Sequence, residues 1–257
     1  MGARPVTRSS RALSRDAELA AALAAEAGRI LLDLRLKSGL DGRALGEAGD
    51  RLANAFLVEQ LGAQRPDDGL LSEESKDTDE RLGRSRVWIV DPLDGTREYG
   101  EARPDWAVHV GLAIDGVAEV GAVALPGLDG GMVLRSDRPV SPPPHEGPPR
   151  LLVSRTRPAA EAVAVAGTLG GELVPMGSAG AKAMAVVLGQ AEIYLHSGGQ
   201  YEWDNCAPVA VARAHGLHCS RIDGSELRYN NRDTYLPDLL ICRPEWAERV
   251  LTTVAAL

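Results

Sequence analysis

Lysine is nearly missing from this sequence: it occurs only at Lys37, Lys76 and Lys182, and arginine supplies almost all the positive charge. Together with many alanines, that bias looks like the codon usage of a high-GC genome and carries no functional content. Excess positive charge is missing too. A net charge of −8 and a pI near 5.2 exclude a surface that holds nucleic acid nonspecifically through a basic patch. The acidic balance still admits a small phosphorylated substrate, because bound cations invert the sign of an acidic site. Cysteine is scarce. Cys206, Cys219 and Cys242 are odd in number and lack paired spacing, so they read as reduced thiols rather than a disulfide framework or metal cluster. No run of about 18 apolar residues could span a membrane, and Met1 to Arg15 lacks the apolar stretch of a signal peptide. The expectation is a soluble, cytoplasmic chain with no membrane and no nucleic-acid partner. Gly-x-Ser-x-Gly elbows, Walker loops and internal repeats are all absent.

What is present is enough for a sizeable core: 257 residues, 44% of them hydrophobic, in one large domain or two closely packed halves. Leu13 to Leu36 carries apolar residues at helical spacing, with Asp16 and Glu18 near its start. Ser38 to Gly49 reads as a glycine-rich break, and Arg51 to Leu61 as a second helix with Asp50 at its start. Val87 to Val90 is an apolar strand that stops at Asp91. Ala107 to Ile114 and Val117 to Leu125 form a hairpin through Asp115-Gly116. The proline-rich stretch Ser136 to Arg150 is the candidate linker. It divides an N-terminal α+β half, residues 1–148, from a C-terminal α/β half, residues 149–257. In the second half, Leu151–Ser154 and Ala191–Leu195 read as strands, and Ala159–Leu169 and Ala181–Leu188 as helices.

Three acidic segments carry chemistry. In Trp88-Ile-Val-Asp91-Pro-Leu-Asp94-Gly-Thr96 a buried strand delivers two carboxylates into a turn, where Pro92 forbids ladder pairing and Gly95 tolerates positive φ. Asp91, Asp94 and the Leu93 carbonyl would then be presented together, a hard-oxygen set suited to Mg²⁺. The backbone N–H groups of Gly95 and Thr96 could hold a phosphate at the same place. The plain alternative is a turn with a helix N-cap. Glu73-Glu74 follows the apolar Leu70-Leu71 and could be a solvated pair. Asp204, in Glu202-Trp203-Asp204, could be the N-cap of a helix from Cys206 to Ala214. His215-x-x-His218-Cys219 lacks a matching ligand pair for zinc and reads as packing and surface residues.

As an ordered set, Glu73-Glu74-Ser75, Asp91-Pro-Leu-Asp94-Gly-Thr96, Gly177-Ser178-Ala179 and Trp203-Asp204 resemble the inositol monophosphatase superfamily over about residues 13–245. That resemblance implies a layered α/β/α/β/α sugar-phosphatase fold with the site in the cleft between the halves. It also implies ligation of two or three Mg²⁺ ions by Glu73, Asp91, the Leu93 carbonyl, Asp94 and Asp204, with Glu74 a nearby acid. Thr96 and Asp50, with Glu73, would orient or deprotonate the attacking water. Gly177, Ser178 and Ala179 would offer backbone donors to phosphate or ribose oxygens, beside Gly95, Thr96 and Asp204. Relatives usually carry Pro-Val-Thr before the acid of the second helix, where this chain has Leu45-Gly46-Glu47-Ala48-Gly49 before Asp50.

Arg97-Glu98-Tyr99 resembles the Lys/Arg-Glu-Phe/Tyr of the CysQ-type bisphosphate nucleotidases, and Glu202, Val153-Ser154-Arg155 and Leu227-Arg228-Tyr229-Asn230 point the same way. The implied substrate is 3'-phosphoadenosine 5'-phosphate, with Arg228, Tyr229 and Arg232 as candidates to grip its base and 5'-phosphate. The alternatives are a broader phosphatase acting on inositol monophosphate or fructose 1,6-bisphosphate, and a noncatalytic metal- or nucleotide-binding regulator on the same fold. Many relatives are dimers, so a homodimer is the expected assembly.

Overall fold

A computed structural model describes residues 8–128 and 130–257, with side chains from residue 12 onward. Helix α1 (Arg8–Lys37) opens the chain. Its buried stripe is mostly alanine, with Ala17, Ala20, Ala24 and Ala27 beside Leu23 and Leu31, so the backbone can lie close on the sheet below. Asp16 does more than suit a helix dipole: its buried carboxylate pairs with Arg65 at 2.8 Å and Arg86 at 3.0 Å, tying α1 to two other elements.

Helix α2 runs Gly42–Gln64, not Arg51–Leu61, so the expected break shrinks to a few residues and Asp50 lies well inside the helix. Two glycines of that expected break, Gly46 and Gly49, are packing devices. A Cβ on Gly46 would stand 2.6 Å from the Thr96 methyl, and one on Gly49 would meet Leu93 at 2.9 Å. Glycine costs helix propensity, about 1 kcal/mol against alanine, but here it allows α2 to press against the residues that follow Asp91.

The first sheet has the order β1-β2-β3-β4-β5, from β1 (Gly69–Ser72), β2 (Arg86–Asp94), β3 (Ala107–Ile114), β4 (Val117–Leu125) and β5 (Met132–Arg135). Asp115 and Gly116 turn the β3–β4 hairpin with φ of 50° and 80°. The short α3 (Thr96–Gly100) follows β2. No helix or strand lies between Arg135 and Arg150, where the proline-rich stretch passes to the second sheet.

That second sheet is ordered β7-β6-β8-β10-β9. Its strands are β6 (Arg150–Ser154), β7 (Glu172–Met176), β8 (Ile193–Tyr201), β9 (His218–Ser220) and β10 (Tyr235–Cys242). Helices α5 (Ala179–Val187) and α6 (Glu202–Ala214) fill the space between the sheets, in a core that unites Val87 and Ile89 with Val209, Leu239 and Ile241. Helices α4 (Ala160–Leu169) and α7 (Pro244–Ala255) cover the far face, where Val165 and Val250 meet Leu195 and Leu240. With α1 and α2 on the opposite side of the first sheet, the layers read α/β/α/β/α. No described helix is long and apolar enough to cross a membrane. His215 is a packing residue, its Nδ1 2.7 Å from the Val211 carbonyl.

Candidate active site

Strand β2 does not stop at Asp91. It continues to Asp94, with a register shift against β3 between the two acids where Pro92 has no N–H to give the ladder. The Leu93 N–H donates to Asp91 Oδ1 at 3.0 Å, which fixes the first carboxylate. The chain reverses at Gly95, whose φ of 88° is left-handed, and α3 begins at Thr96.

Asp91, Asp94 and Asp204 each offer a carboxylate oxygen to one cluster, with these atoms within 4.8 Å of one another. Asp204 is not an N-cap. It sits at the third position of α6, and its Oδ2 accepts the Tyr201 N–H at 2.6 Å. Glu73 follows β1, its N–H reaching the Val90 carbonyl at 3.4 Å. Thr96 Oγ1 stands 3.1 Å from the Leu93 carbonyl and 3.4 Å from Asp50 Oδ1. The structure thus gathers Asp50 from α2, Glu73 from just beyond β1, Asp91, Leu93 and Asp94 from β2, Thr96 from α3 and Asp204 from α6.

The electrostatics are lopsided. Desolvation, then the charge of Glu73, raises Asp91 well above the carboxylate range. Desolvation and Asp204 push Glu73 up to about 8, desolvation and Glu74 push Asp50 up to about 7, and desolvation and Asp94 push Asp204 up to about 6. Asp94 departs from this pattern: burial would raise it, but His109 beside it, and then the hydrogen bonds from Ser178 and Gly180, hold it down at about 2.

Those bonds bear on the donors expected of Gly177, Ser178 and Ala179, since carboxylates take up the backbone N–H groups of Gly177 and Ala179 and the hydroxyl of Ser178. The Ser178 hydroxyl donates to Asp94 Oδ2, Ala179 N–H to Asp94 Oδ1 at 3.1 Å, and Gly180 N–H to Asp94 Oδ2 at 2.6 Å. Gly177 N–H is taken by Asp105 at 2.7 Å. The N-terminus of α5 receives an anion, and that anion is the protein's own carboxylate.

Two residues passed over in the sequence complete this arrangement. His109, fully buried on β3, puts Nδ1 3.0 Å from the Trp203 carbonyl and Nε2 3.2 Å from Asp94 Oδ2, off the line of a hydrogen bond. A lone histidine inside the apolar run Ala107–Ile114 was the available signal. Lys182, buried on α5, donates to the Ser178 carbonyl at 2.5 Å and the Gly177 carbonyl at 3.3 Å, closing the loop from beneath.

The segments that mark the CysQ-type branch meet in pairs. Arg155 donates to Glu98 at 2.6 Å and 3.1 Å, and to Glu101 at 3.0 Å. Glu202 accepts the N–H groups of Asn230 and Asn231 at 2.7 and 2.8 Å. The ligand candidates of that loop are otherwise engaged: Tyr229 is buried with its hydroxyl on Asn205, Arg228 pairs with Glu226 and Arg232 with Asp79.

The model of the inositol monophosphatase family matches residues 7–137 and 151–257. A Mycobacterium leprae 3'-phosphoadenosine 5'-phosphate phosphatase is 50% identical over 253 residues, covering 93% of each chain. The Mycobacterium tuberculosis protein of the same name is 52% identical over 240 residues, covering 90% of each. In three dimensions, inositol monophosphatase from Anabaena (Nostoc) sp. PCC 7120 superposes with a TM-score of 0.77 at 22% identity, covering 96% of this chain and 97% of its own. Matched across both sheets and at half identity to proteins of its own length, the chain belongs to the inositol monophosphatase family.

Proposed function

We propose that this chain is a Mg²⁺-dependent phosphomonoesterase that transfers the 3'-phosphoryl group of 3'-phosphoadenosine 5'-phosphate to water, giving AMP and phosphate. The observation that carries this reading is the convergence of Asp91, Asp94 and Asp204, in a chain half identical to phosphatases named for that substrate.

The donor set fits hard divalent ions. Carboxylates crowded in this way hold their protons unless positive charge reaches them, as the raised Asp91, Glu73 and Asp204 record. Each acid also keeps oxygen lone pairs free. Asp91 and Asp204 spend one oxygen on a backbone N–H, and Asp94 Oδ1 accepts a single bond. Glu73, Asp91, the Leu93 carbonyl, Asp94 and Asp204 would hold two or three ions. Such ions neutralise phosphate charge and supply an acidic water as nucleophile.

The remaining work falls to residues of this chain. Thr96 has one hydroxyl proton; donated to the Leu93 carbonyl, it leaves the oxygen's lone pairs to orient water beside Asp50. Asp50, 3.4 Å from that hydroxyl, is the carboxylate placed to share the attacking water's proton, with Glu73 among the acids that would hold the ions. Positioning and charge do most of the work, so no nucleophilic side chain is needed.

The test is phosphate release from 3'-phosphoadenosine 5'-phosphate, inositol 1-phosphate and fructose 1,6-bisphosphate, compared by kcat/KM with Mg²⁺, with EDTA and with Li⁺. The expected result is a strong preference for the nucleotide that EDTA abolishes and Li⁺ inhibits. Comparable rates on the sugar esters would make the enzyme a generalist; no Mg²⁺-dependent release from any of them would remove the assignment.

A further inference from the structure

Aromatic residues make up only 4% of the sequence, and half of them are buried. Tyr99, Tyr194, Tyr229, Trp88 and Trp106 each expose at most a few per cent of their surface. Among the described residues, the aromatic side chains with large exposure are Tyr201 and Tyr235, at 46% each, and they touch one another. Tyr201 stacks on half-buried Trp203, with centroids 4.9 Å apart and planes 9° from parallel, and Tyr235 meets Tyr201 edge-on at 6.0 Å.

The cluster is built into the fold. Tyr201 and Tyr235 are cross-strand partners at the end of the β8–β10 ladder. Gly199, at φ of 97°, leaves room for the Tyr235 ring, since a Cβ there would stand 2.8 Å from it. Glu202 N–H on the Thr234 carbonyl at 3.0 Å closes the same corner. The cluster is also continuous with the carboxylate site. Tyr201 N–H holds Asp204 Oδ2, and the Trp203 carbonyl faces His109, which faces Asp94.

An exposed aromatic surface is thus joined through its own backbone to the carboxylates of the candidate active site. From this we infer that Tyr201, Trp203 and Tyr235 form the surface on which the adenine of the substrate stacks, making them specificity-determining residues. The inference rests on the proposed function, and it supplies the base contact that buried Tyr229 cannot make. Stacking needs only a π-face, so it selects a nucleotide over a sugar phosphate without reading the identity of the base.

The experiment compares the intact wild type with Tyr201→Ala, Tyr235→Ala and Tyr201→Phe. It measures kcat and KM on 3'-phosphoadenosine 5'-phosphate and on inositol 1-phosphate, calorimetric binding of AMP, and melting temperature. The alanine variants should raise KM for the nucleotide about ten- to a hundredfold, the range that base stacking covers. They should weaken AMP binding in step and lower the nucleotide-to-inositol ratio of kcat/KM. Tyr201→Phe, which keeps the ring, should behave as wild type. Alanine variants that melt earlier but keep the nucleotide ratio and AMP affinity would reduce the cluster to a strand-end brace and overturn the inference alone. A wild type that hydrolyses the inositol ester and ignores the nucleotide would overturn the proposed function, and this inference with it.

Discussion

Gly180 and His109 leave no room between them: a side-chain carbon on Gly180 would overlap the Nε2 of His109 that faces Asp94. Gly180 also donates its N–H to that carboxylate. A Gly180→Ala chain must therefore push the imidazole off Asp94 or unwind the first turn of α5. Thermal melts should show a loss of about 1–3 kcal/mol, the usual cost of overpacking a tight core, and turnover should fall with it. The control is Gly62→Ala on α2, where nothing lies within 4 Å of the new carbon. That change should stabilise by up to about 1 kcal/mol.

Asp94→Asn and Asp204→Asn each remove one negative charge from the cluster. Asp204→Asn keeps the one acceptor that Tyr201 N–H uses and should fold as wild type, whereas Asp94→Asn turns an NH2 toward donors that both carboxylate oxygens accept and should melt earlier; both should lose at least about a hundredfold in kcat. Near-normal turnover in the pair would contradict a metal-dependent mechanism.

The metal-free protein should lose stability as pH rises. Asp50, Glu73, Asp91 and Asp204 have folded-state values above their unfolded ones. Their stabilising contribution is full below about pH 4; Asp204, Asp50 and Glu73 lose theirs between about pH 4 and 8 as each proton leaves, and Asp91 loses its own in the same direction. Asp94, held at about 2, has the opposite sign, and its contribution is lost only in acid. Urea midpoints in EDTA should therefore be lower at pH 8 than at pH 5.5, and Mg²⁺ should restore the loss at pH 8. A midpoint that climbs with pH in EDTA would show that these acids are not uncompensated.

Arg155 and Glu98 form a two-bond ion pair with side chains 21% and 13% exposed. Removing either partner should cost about 1–2 kcal/mol, between a surface pair and a fully desolvated one. A double-mutant cycle of Arg155→Ala with Glu98→Gln, read by urea unfolding, should find coupling of that size. Additive losses would mean that the pair does not hold β6 to α3.

The sequence signalled elements whose pattern is local. The β3–β4 hairpin has strict strand residues and an Asp-Gly turn, and the structure places it between the same residues. Helix α2 begins earlier than a local rule allows because Gly46 and Gly49, which signal a loop, have their reason across the molecule in Thr96, Leu93 and Tyr99, while Gly42 opens the helix at a φ of 48°. Strands β5 and β7 and the bulged β10 were passed over. They are short, or carry Pro175 at a sheet edge and Pro237 at a register shift, where proline is tolerated only because of the neighbours. At the site, acid residues at strand ends stood out, but which donors they would consume did not. Asp94 and the α5 N-terminus are distant in the chain, and their pairing is a property of the layers.

That pairing has a consequence for how the molecule comes into being. A chain emerging from the ribosome as far as β5 already carries Asp50, Glu73, Asp91 and Asp94. It lacks the α5 amides and Ser178 that receive Asp94, and it lacks Asp204. Until those later residues arrive, the first sheet must keep one of its faces bare and its acids unanswered. It should mature only when the second sheet closes the sandwich, so that catalytic competence and the completion of the core are acquired in the same step.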